Sequence, residues 1–262
     1  MLFALNGLFG CQVAAINDGV GTVKDFLFDV QNWKLRWMVV DTGRWLPGRK
    51  VLIHPSAIVP LELPPKPALP MVSMGQTLTV LVRLTKQQIE ASPEEGEDEP
   101  VTRHMQQRLY EYYGLDPLWG GLSFGADAIA PRPSRQPHPA EVAEGVAAGP
   151  PGDPRLGSVA DVKGYAVHAT DGDLGHVESV LTDDVKWDVR YFVIATRNWL
   201  PGKLVELATF AVTGVDWVER RVNVNVTRDQ VRSAPDFDPV AMADEVMQEQ
   251  LHRHFGWPGF AA

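Results

Sequence analysis

The sequence predicts a mainly β fold with added helices: two tandem small β-barrels, each followed by one or two helices and related by a pseudo-twofold axis. The first observation behind this prediction is an internal repeat. Residues 21–51 and 175–205 align without a gap at a constant offset of 154, and 13 of the 31 paired positions are identical. Self-similarity on this scale indicates a duplicated structural unit. The second and third observations are alternating strand-like segments and helix-capping signals, which occur in both copies.

The identical positions are mostly turn glycines, a proline, tryptophans and strand valines, so the repeat defines architecture more than chemistry. In the first copy they are Gly21, Val23, Leu27, Asp29, Trp33, Arg36, Val39, Thr42, Trp45, Leu46, Pro47, Gly48 and Val51.

Short strands joined by tight turns are predicted in each copy. Residues 22–29 and 34–42 alternate in the manner of strands, with apolar residues on both faces of the second segment. Such a strand lines a core on one face and packs on a neighbouring element with the other. The segments 46–49 and 200–203, Leu-Pro-Gly-Arg and Leu-Pro-Gly-Lys, suit type II turns.

Helices follow the strands in both copies. Thr85 with Gln88, and Thr227 with Gln230, have the spacing of a capping box and predict a short helix in each half. These segments align at an offset of 142, so the intervening region, which is rich in proline over 60–70, is 12 residues longer in the first copy.

A second helix is predicted to close each half. In the first copy it runs from about Pro100 to Tyr113 and ends at Gly114. In the second, Asp238 is expected to cap the helix, with Pro239 in its first turn and Gly256 at its end.

The domain boundaries follow from the repeat and from composition. Residues 1–119 form the first repeat with its closing helix, and residues 155–262 form the second. Residues 120–154 are rich in proline, alanine and glycine, which is typical of a linker without a core of its own.

Bulk properties narrow the class of protein. The net charge of −9 disfavours nucleic acid as a partner, because a phosphate-binding groove needs a basic surface. Cys11 is the only cysteine, which fits a reducing compartment, and a cytoplasmic location is expected. The apolar stretch Met1–Ala15 lacks a basic start and aligns with an internal segment, so it is interpreted as a barrel strand and not a signal peptide. The sequence contains no run of 18 apolar residues, so it predicts no membrane span.

Candidate interaction residues precede the Leu-Pro-Gly turns. Trp45 and Trp199 could present aromatic anchors to a partner, together with the polar residues before them, Arg44 and Asn198. Alternatively, each tryptophan packs over its own turn or against the other barrel.

Arg36 and Arg190 lie mid-strand among apolar residues, so each needs a polar partner. Asp29 and Asp183 are the natural candidates, and a structural ion pair is favoured over an anion-binding site.

Residues with catalytic or metal-binding chemistry form no recognisable constellation. His252 and His254 are two residues apart on a predicted helix and therefore on different faces, which argues against a shared metal. Asp171 and Asp173 are turn residues, and Cys11 has no histidine near it in sequence. We expect no catalytic residue, metal or cofactor, and hence no enzyme.

The segment Trp33-Lys34-Leu35-Arg36-Trp37-Met38-Val39-Val40-Asp41-Thr42-Gly43-Arg44-Trp45-Leu46-Pro47-Gly48-Arg49 resembles a PRC-barrel domain, and so does its second copy. The resemblance covers roughly residues 5–90 and 159–231. This family includes the cytoplasmic domain of the photosynthetic reaction centre H subunit and the C-terminal domain of the ribosome maturation factor RimM. The membrane anchor of the former and the N-terminal domain of the latter have no counterpart in this sequence.

The resemblance implies a free-standing tandem PRC-barrel protein that binds other proteins. We therefore expect a soluble interaction or adaptor module. Intramolecular pairing of the barrels or a homodimer would cover their outer faces. One alternative is a small-ligand sensor or enzyme that uses a cleft between the halves. Another is a peripheral accessory factor of a photosynthetic or other membrane electron-transfer complex.

Overall fold

The fold is mainly β, with two sheets and few helices. It is seen in a computed structural model that describes residues 2–47, 49–61, 78–94, 100–115, 155–196, 202–239 and 244–260. The strands, in chain order, are β1 (Leu2–Ala4), β2 (Gln12–Ala14), β3 (Gly19–Asp29), β4 (Leu35–Asp41), β5 (Val51–Ile53), β6 (Thr79–Leu81), β7 (Leu156–Ser158), β8 (Ala166–Ala169), β9 (Gly172–Asp183), β10 (Val189–Ala195), β11 (Leu204–Ala208), β12 (Val212–Asp216) and β13 (Arg221–Val224).

The α-helices are short except for the closing helix of each half. They are α1 (Lys86–Glu90), α2 (Arg103–Tyr113), α3 (Val159–Val162), α4 (Arg228–Ser233) and α5 (Glu245–Phe255). Three 3₁₀ turns cover Leu5–Leu8, Pro55–Ala57 and Thr209–Ala211. Among the described residues, no helix has the length and apolar character that crossing a membrane requires.

The two sheets have matching strand orders. One runs β5-β4-β3-β2-β6 and the other β11-β10-β9-β8-β13-β12. Neighbouring strands are antiparallel except β2 with β6 and β8 with β13, which are parallel. Strands β4 and β10 occupy positions that differ by the repeat offset of 154.

The first strand of each half belongs to the sheet of the other half. Strand β1 pairs with β9, with Leu2 opposite Asp183, and β7 pairs with β3, with Leu156 opposite Asp29. Leu2 and Leu156 are 154 residues apart, and so are Asp29 and Asp183. The exchange is therefore reciprocal, and neither sheet is complete without a strand from the other half.

This exchange corrects the interpretation of Met1–Ala15 as one barrel strand. Within the described part of this segment, β1 joins the partner sheet, a 3₁₀ turn follows, and β2 then enters the sheet of its own half. A stretch of three to four residues is too short to encode its sheet partner, so the sequence could not show the exchange.

The predicted use of both faces of the central strands is confirmed. In β4, every residue from Trp37 to Val40 is buried, and Leu35 is also buried. The inner face contributes to a core shared by both halves, while the outer face is covered by the closing helix, because Trp37 Nε1 donates to Gln106 Oε1 of α2.

Gly21 and Gly175 are identical because their strands approach another backbone closely. A Cβ on Gly21 would lie 2.0 Å from the carbonyl oxygen of Asp41, and one on Gly175 would lie 2.0 Å from that of Ala195. No other residue fits at this distance.

The predicted capping boxes are confirmed at both short helices, where Thr85 and Thr227 are the N-caps. Gly114 and Gly256 end α2 and α5 in the left-handed conformation, as predicted. Helix α2 begins at Arg103 with Thr102 as its cap, three residues later than the sequence indicates.

The predicted start of the last helix was wrong. Helix α5 begins at Glu245, and Asp244, not Asp238, accepts a hydrogen bond from the amide of Val246 at 2.8 Å. Asp238 and Pro239 precede the helix and are not helical. Both aspartates are good caps by residue type, so the choice between them depends on the path of the chain. The predicted linker 120–154 lies outside the described residues, and the domain boundaries stay a prediction.

Candidate functional site: a cleft at the junction of the two halves

The paired arginines are held by carboxylates of their own half, as the sequence predicts. Arg36 Nη2 lies 3.0 Å from Asp29 Oδ2, and Arg190 Nε lies 2.9 Å from Asp183 Oδ2. The other Asp29 oxygen accepts a hydrogen bond from the amide of Gln31 at 2.9 Å. These side chains are nearly buried, with about a tenth of each exposed. The ion pairs therefore stabilise the strand that enters the junction between the halves.

The ionised state of Asp183 is fixed by its neighbours. Burial would raise its pKa, but the amide of Lys186 and the guanidinium of Arg190 donate hydrogen bonds to it and lower the pKa. The carboxylate consequently stays charged and keeps Arg190 in place at neutral pH.

The candidate anchor Trp45 is half-buried and packs against the core, with the ammonium of Lys86 4.7 Å from its ring centroid. Arg44 is exposed beside it. Asn198 and Trp199 lie outside the described residues. In the first copy, the tryptophan thus contacts the core and Lys86 of α1.

The residue after each Pro-Gly pair holds the end of the short helix. Arg49 donates to the carbonyl oxygens of Glu90 and Ser92 at the end of α1. Lys203, at the matching position, donates to the carbonyl of Ala234 at 2.6 Å after α4. Sequence reasoning missed this role, although a basic residue at both aligned positions was the available signal.

Trp33 and Trp187, which are identical in the two copies, contact the other half. Both adopt positive φ, 62° and 56°. Trp33 stacks on Phe28 at 5.6 Å and meets Phe192 of the other half edge-on at 5.6 Å, while Trp187 meets Phe3 at 5.7 Å. Their identity in both copies was a signal that the sequence interpretation did not use.

Backbone hydrogen bonds also cross this junction, one donated by each half. The amide of Leu35 donates to the carbonyl of Trp187 at 2.9 Å, and the amide of Val189 donates to that of Trp33 at 2.7 Å. Each of these bonds repeats the other at the offset of 154. The halves are thus joined by main chain as well as by aromatic packing.

A cleft of about 590 Å³ opens at this junction. Strands β3 and β4 and the turn after them form one wall, and β7, α3 and Trp217 of the second half form the other. Its volume lies within the range of small-molecule and peptide side-chain pockets.

At the floor of the cleft, Asp25 ties the two walls together. It accepts hydrogen bonds from Ser158 Oγ at 2.6 Å and from the amide of Ala160 at 2.8 Å. Burial raises the pKa of Asp25, although these hydrogen bonds oppose the rise. Its role is to join the exchanged strand to β3, and its oxygens are occupied within the fold.

The cleft is balanced in charge and apolar at its centre. Three cationic and three acidic side chains line it: Lys24, Arg49, Lys50, Asp25, Asp41 and Asp161. Leu27, Val39 and Trp217 provide apolar surface between them. Such a lining suits a neutral group with a large apolar surface better than an ion.

A second, smaller cavity of about 320 Å³ lies beside the first ion pair, between β4 and α2. Arg36, Arg103 and Arg155 line it together with Asp29 and Glu111. Of these arginines, Arg36 is neutralised by its ion pair with Asp29.

His252, His254 and Cys11 contact other parts of the fold. His252 accepts from or donates to the hydroxyl of Tyr191 at 2.7 Å, and His254 contacts the carbonyl of Gln230 at 2.9 Å, so the two imidazoles point to different partners. Cys11 is buried, which raises the pKa of its thiol. Within the described ranges, no three His, Cys, Asp or Glu side chains are placed to hold a metal ion.

His54 is enclosed between β5 and α2, with its ring edge-on to Trp37 at 5.7 Å. Burial and the nearby Arg36 charge lower its pKa to about 3. It is therefore neutral at physiological pH and acts as a packed ring.

These features define the class of protein: a mainly β protein whose polar repeat residues bind its own elements and which has a cleft lined by both halves. Residues 1–61 match the family model of the PRC-barrel domain, so the chain contains a PRC-barrel domain. The matched segment spans β1 to β5, which includes the Arg36–Asp29 pair and one wall of the cleft. No curated protein matches the chain.

Proposed function

We propose that the protein is a non-catalytic protein–protein interaction module, an adaptor of the PRC-barrel type. The observation that carries this proposal is the PRC-barrel match, since domains of this family commonly mediate protein interactions. The use of the repeated polar residues within the fold supports it further, because Arg36, Arg49, Arg190 and Lys203 all bind groups of the chain itself.

The architecture that we propose is a pair of small barrels related by a pseudo-twofold axis, equivalent to a homodimer joined in one chain. Support comes from the reciprocal pairing of β1 with β9 and of β7 with β3, and from the matched bonds at Trp33 and Trp187. Such a closed pair leaves the outer surfaces and the cleft for partners.

Affinity capture with tagged full-length protein from its native extract, read by mass spectrometry, tests the adaptor function. We expect a recurrent protein partner whose direct binding is then reproduced with purified components. The Arg44→Glu variant changes an exposed side chain next to the cleft, whereas Glu249→Lys changes an exposed side chain of α5 that does not line it and serves as the control. Loss of binding in the first variant alone would place the partner at the cleft. Failure to capture any recurrent protein would contradict the function.

A second candidate function is binding of a small molecule in the cleft between the halves. The observation that favours it is the cleft volume of about 590 Å³, with walls from both halves. A metabolite retained by purified protein in native mass spectrometry, and lost from Trp217→Ala, would support this function over the adaptor. The role of accessory factor to a membrane complex stays a prediction.

A further inference from the structure

The cleft of the first half has a counterpart in the second half that is covered by partly buried side chains, Phe237 among them. Four of its lining residues align with members of an apolar cluster around β9 and β10. The aligned pairs are Leu27 with Leu181, Val39 with Val193, Lys50 with Leu204 and Leu156 with Leu2. Among the described residues, the same region of the fold is therefore open in the first half and covered in the second.

In the second half, Phe237 is one of five partly buried side chains that pack against this cluster, together with Leu204, Phe255, Trp257 and Phe260. The Phe237 ring packs against the cluster that contains Leu181 and Val193. Its backbone amide donates to the carbonyl of Leu204 at 2.8 Å, so the segment lies along the edge of β11. The segment around Phe237 is neither helix nor strand, and it carries an acidic residue on each side, Asp236 and Asp238.

Both halves follow the same route up to this point. Lys203 pairs with Asp236 at 3.3 Å, and Arg49, its aligned residue, approaches Glu94 at 3.9 Å. At the next position, the residue aligned with Phe237 is Glu95. Residues 95–99 lie outside the described structure, and their sequence, Glu-Gly-Glu-Asp-Glu, contains no aromatic or large apolar side chain.

We propose that this cleft binds an aromatic side chain carried on a segment of a partner protein, in the manner of Phe237 in the second half. The ring lies against Leu27 and Val39, with Trp217 on the opposite wall. This inference rests on the proposed interaction function and specifies its recognition element. The equal numbers of cationic and acidic lining residues leave the apolar ring as the feature that is selected.

The probe that tests the site is a peptide with the sequence of residues 233–239, Ser-Ala-Pro-Asp-Phe-Asp-Pro, blocked at both ends. The matched control peptide has alanine in place of phenylalanine. Each is titrated to about 1 mM, the range of a single-anchor contact, into isotopically labelled full-length protein. We expect backbone shifts at Val39 and Lys50 and a shift of the Trp217 indole, with the phenylalanine peptide only.

Two protein variants keep the test decisive. Leu27→Gln lowers the apolar character of the wall and should weaken peptide binding by about tenfold, given the apolar area it removes. Val246→Gln changes a residue of α5 that is 59% exposed and does not line the cleft, and it should leave binding unchanged. Thermal unfolding of both variants shows whether each is folded before binding is compared.

The following outcomes overturn the inference: no shifts with the phenylalanine peptide, equal shifts with the alanine peptide, or shifts confined to the Leu204 region of the second half. A captured protein partner that an excess of the peptide does not displace would also overturn it, while the adaptor function would stand. Peptide-specific shifts in the cleft without any protein partner would support the site and contradict the adaptor function.

Discussion

Lys34 and Asp188 occupy the same position of the two copies, 154 residues apart, and their side chains form an ion pair, with Lys34 Nζ 3.2 Å from Asp188 Oδ1. A residue can contact its own counterpart only where the two copies meet. The flanking residues also contact the other copy, since the amides of Leu35 and Val189 donate to the carbonyls of Trp187 and Trp33, respectively. In a symmetric homodimer the two counterparts would be identical residues, and two lysines would repel each other. A duplicated chain can place lysine in one copy and aspartate in the other, so that the pair is attractive.

Replacing Trp33 by alanine should destabilise the protein by about 3 kcal/mol, because its ring joins Phe28 to Phe192 across the junction. Denaturant unfolding followed by far-UV circular dichroism measures the change. Trp45→Ala is the control, since its ring contacts Lys86 in its own half. A larger loss from Trp45→Ala than from Trp33→Ala would contradict the assignment of Trp33 to the junction.

Removing the carboxylate partner of either arginine should cost about 3 kcal/mol, because a nearly buried guanidinium would lose its counter-charge. The variants are Asp29→Asn and Asp183→Asn, one for each half, and their free energies of unfolding are compared at pH 7. Since the folded pKa of Asp183 is lowered, its contribution is present above the pKa of an unfolded aspartate and is lost as pH falls through the folded value. Asp183→Asn should therefore flatten the acid limb of the stability profile, and an unchanged acid limb would contradict this prediction.

Glu206 should make stability fall as pH rises. It lies on β11, one of its carboxylate oxygens is buried without a hydrogen-bond partner among the described residues, and burial raises its pKa to about 7 from 4.5. Between these two values, the folded protein retains a proton that the unfolded chain releases, so stability decreases with pH by at most about 3 kcal/mol and then levels off.

The Glu206→Leu variant introduces the residue found at the aligned position of the first copy, Leu52. It should be more stable than the parent at pH 8 and should lose the slope between pH 5 and 7. Glu178→Leu, at a partly exposed position of β9, is the control. A slope that persists in Glu206→Leu would assign the pH dependence to another group.

Cutting the chain between the halves should leave them together. A protease site introduced within residues 116–154 of the full-length protein can be cleaved after folding, and the product analysed by native size-exclusion chromatography. We expect one peak that contains both fragments, because β1 lies in the sheet of the second half and β7 lies in the sheet of the first half. Separation of the fragments at micromolar concentration would show that the exchanged strands contribute little to the association.

Local signals were sufficient to predict much of the fold. The Thr85 and Thr227 capping boxes and the glycine ends of α2 and α5 depend on neighbouring residues, and the structure contains all of them. The ion pairs of Arg36 and Arg190 were also predictable, since a charge on a mid-strand apolar face needs a carboxylate nearby.

Features that depend on distant segments could not be predicted in this way. The three-residue strands β1 and β7 carry no local information about which sheet they join. The cleft combines Leu27, Leu156 and Trp217, which come from three separate parts of the chain. Asp238 and Asp244 are both good caps by residue type, and only the path of the chain distinguishes them.

The reciprocal strands also impose an order on biosynthesis. The first sheet includes β7, which is synthesised only after residue 155. Until then, β3 has an unpaired edge while the N-terminal half is already on the ribosome. In the same interval, β1 has no β9 to pair with. The nascent chain therefore holds two unsatisfied strands until most of it has been translated, a period in which binding by a chaperone would protect it from aggregation.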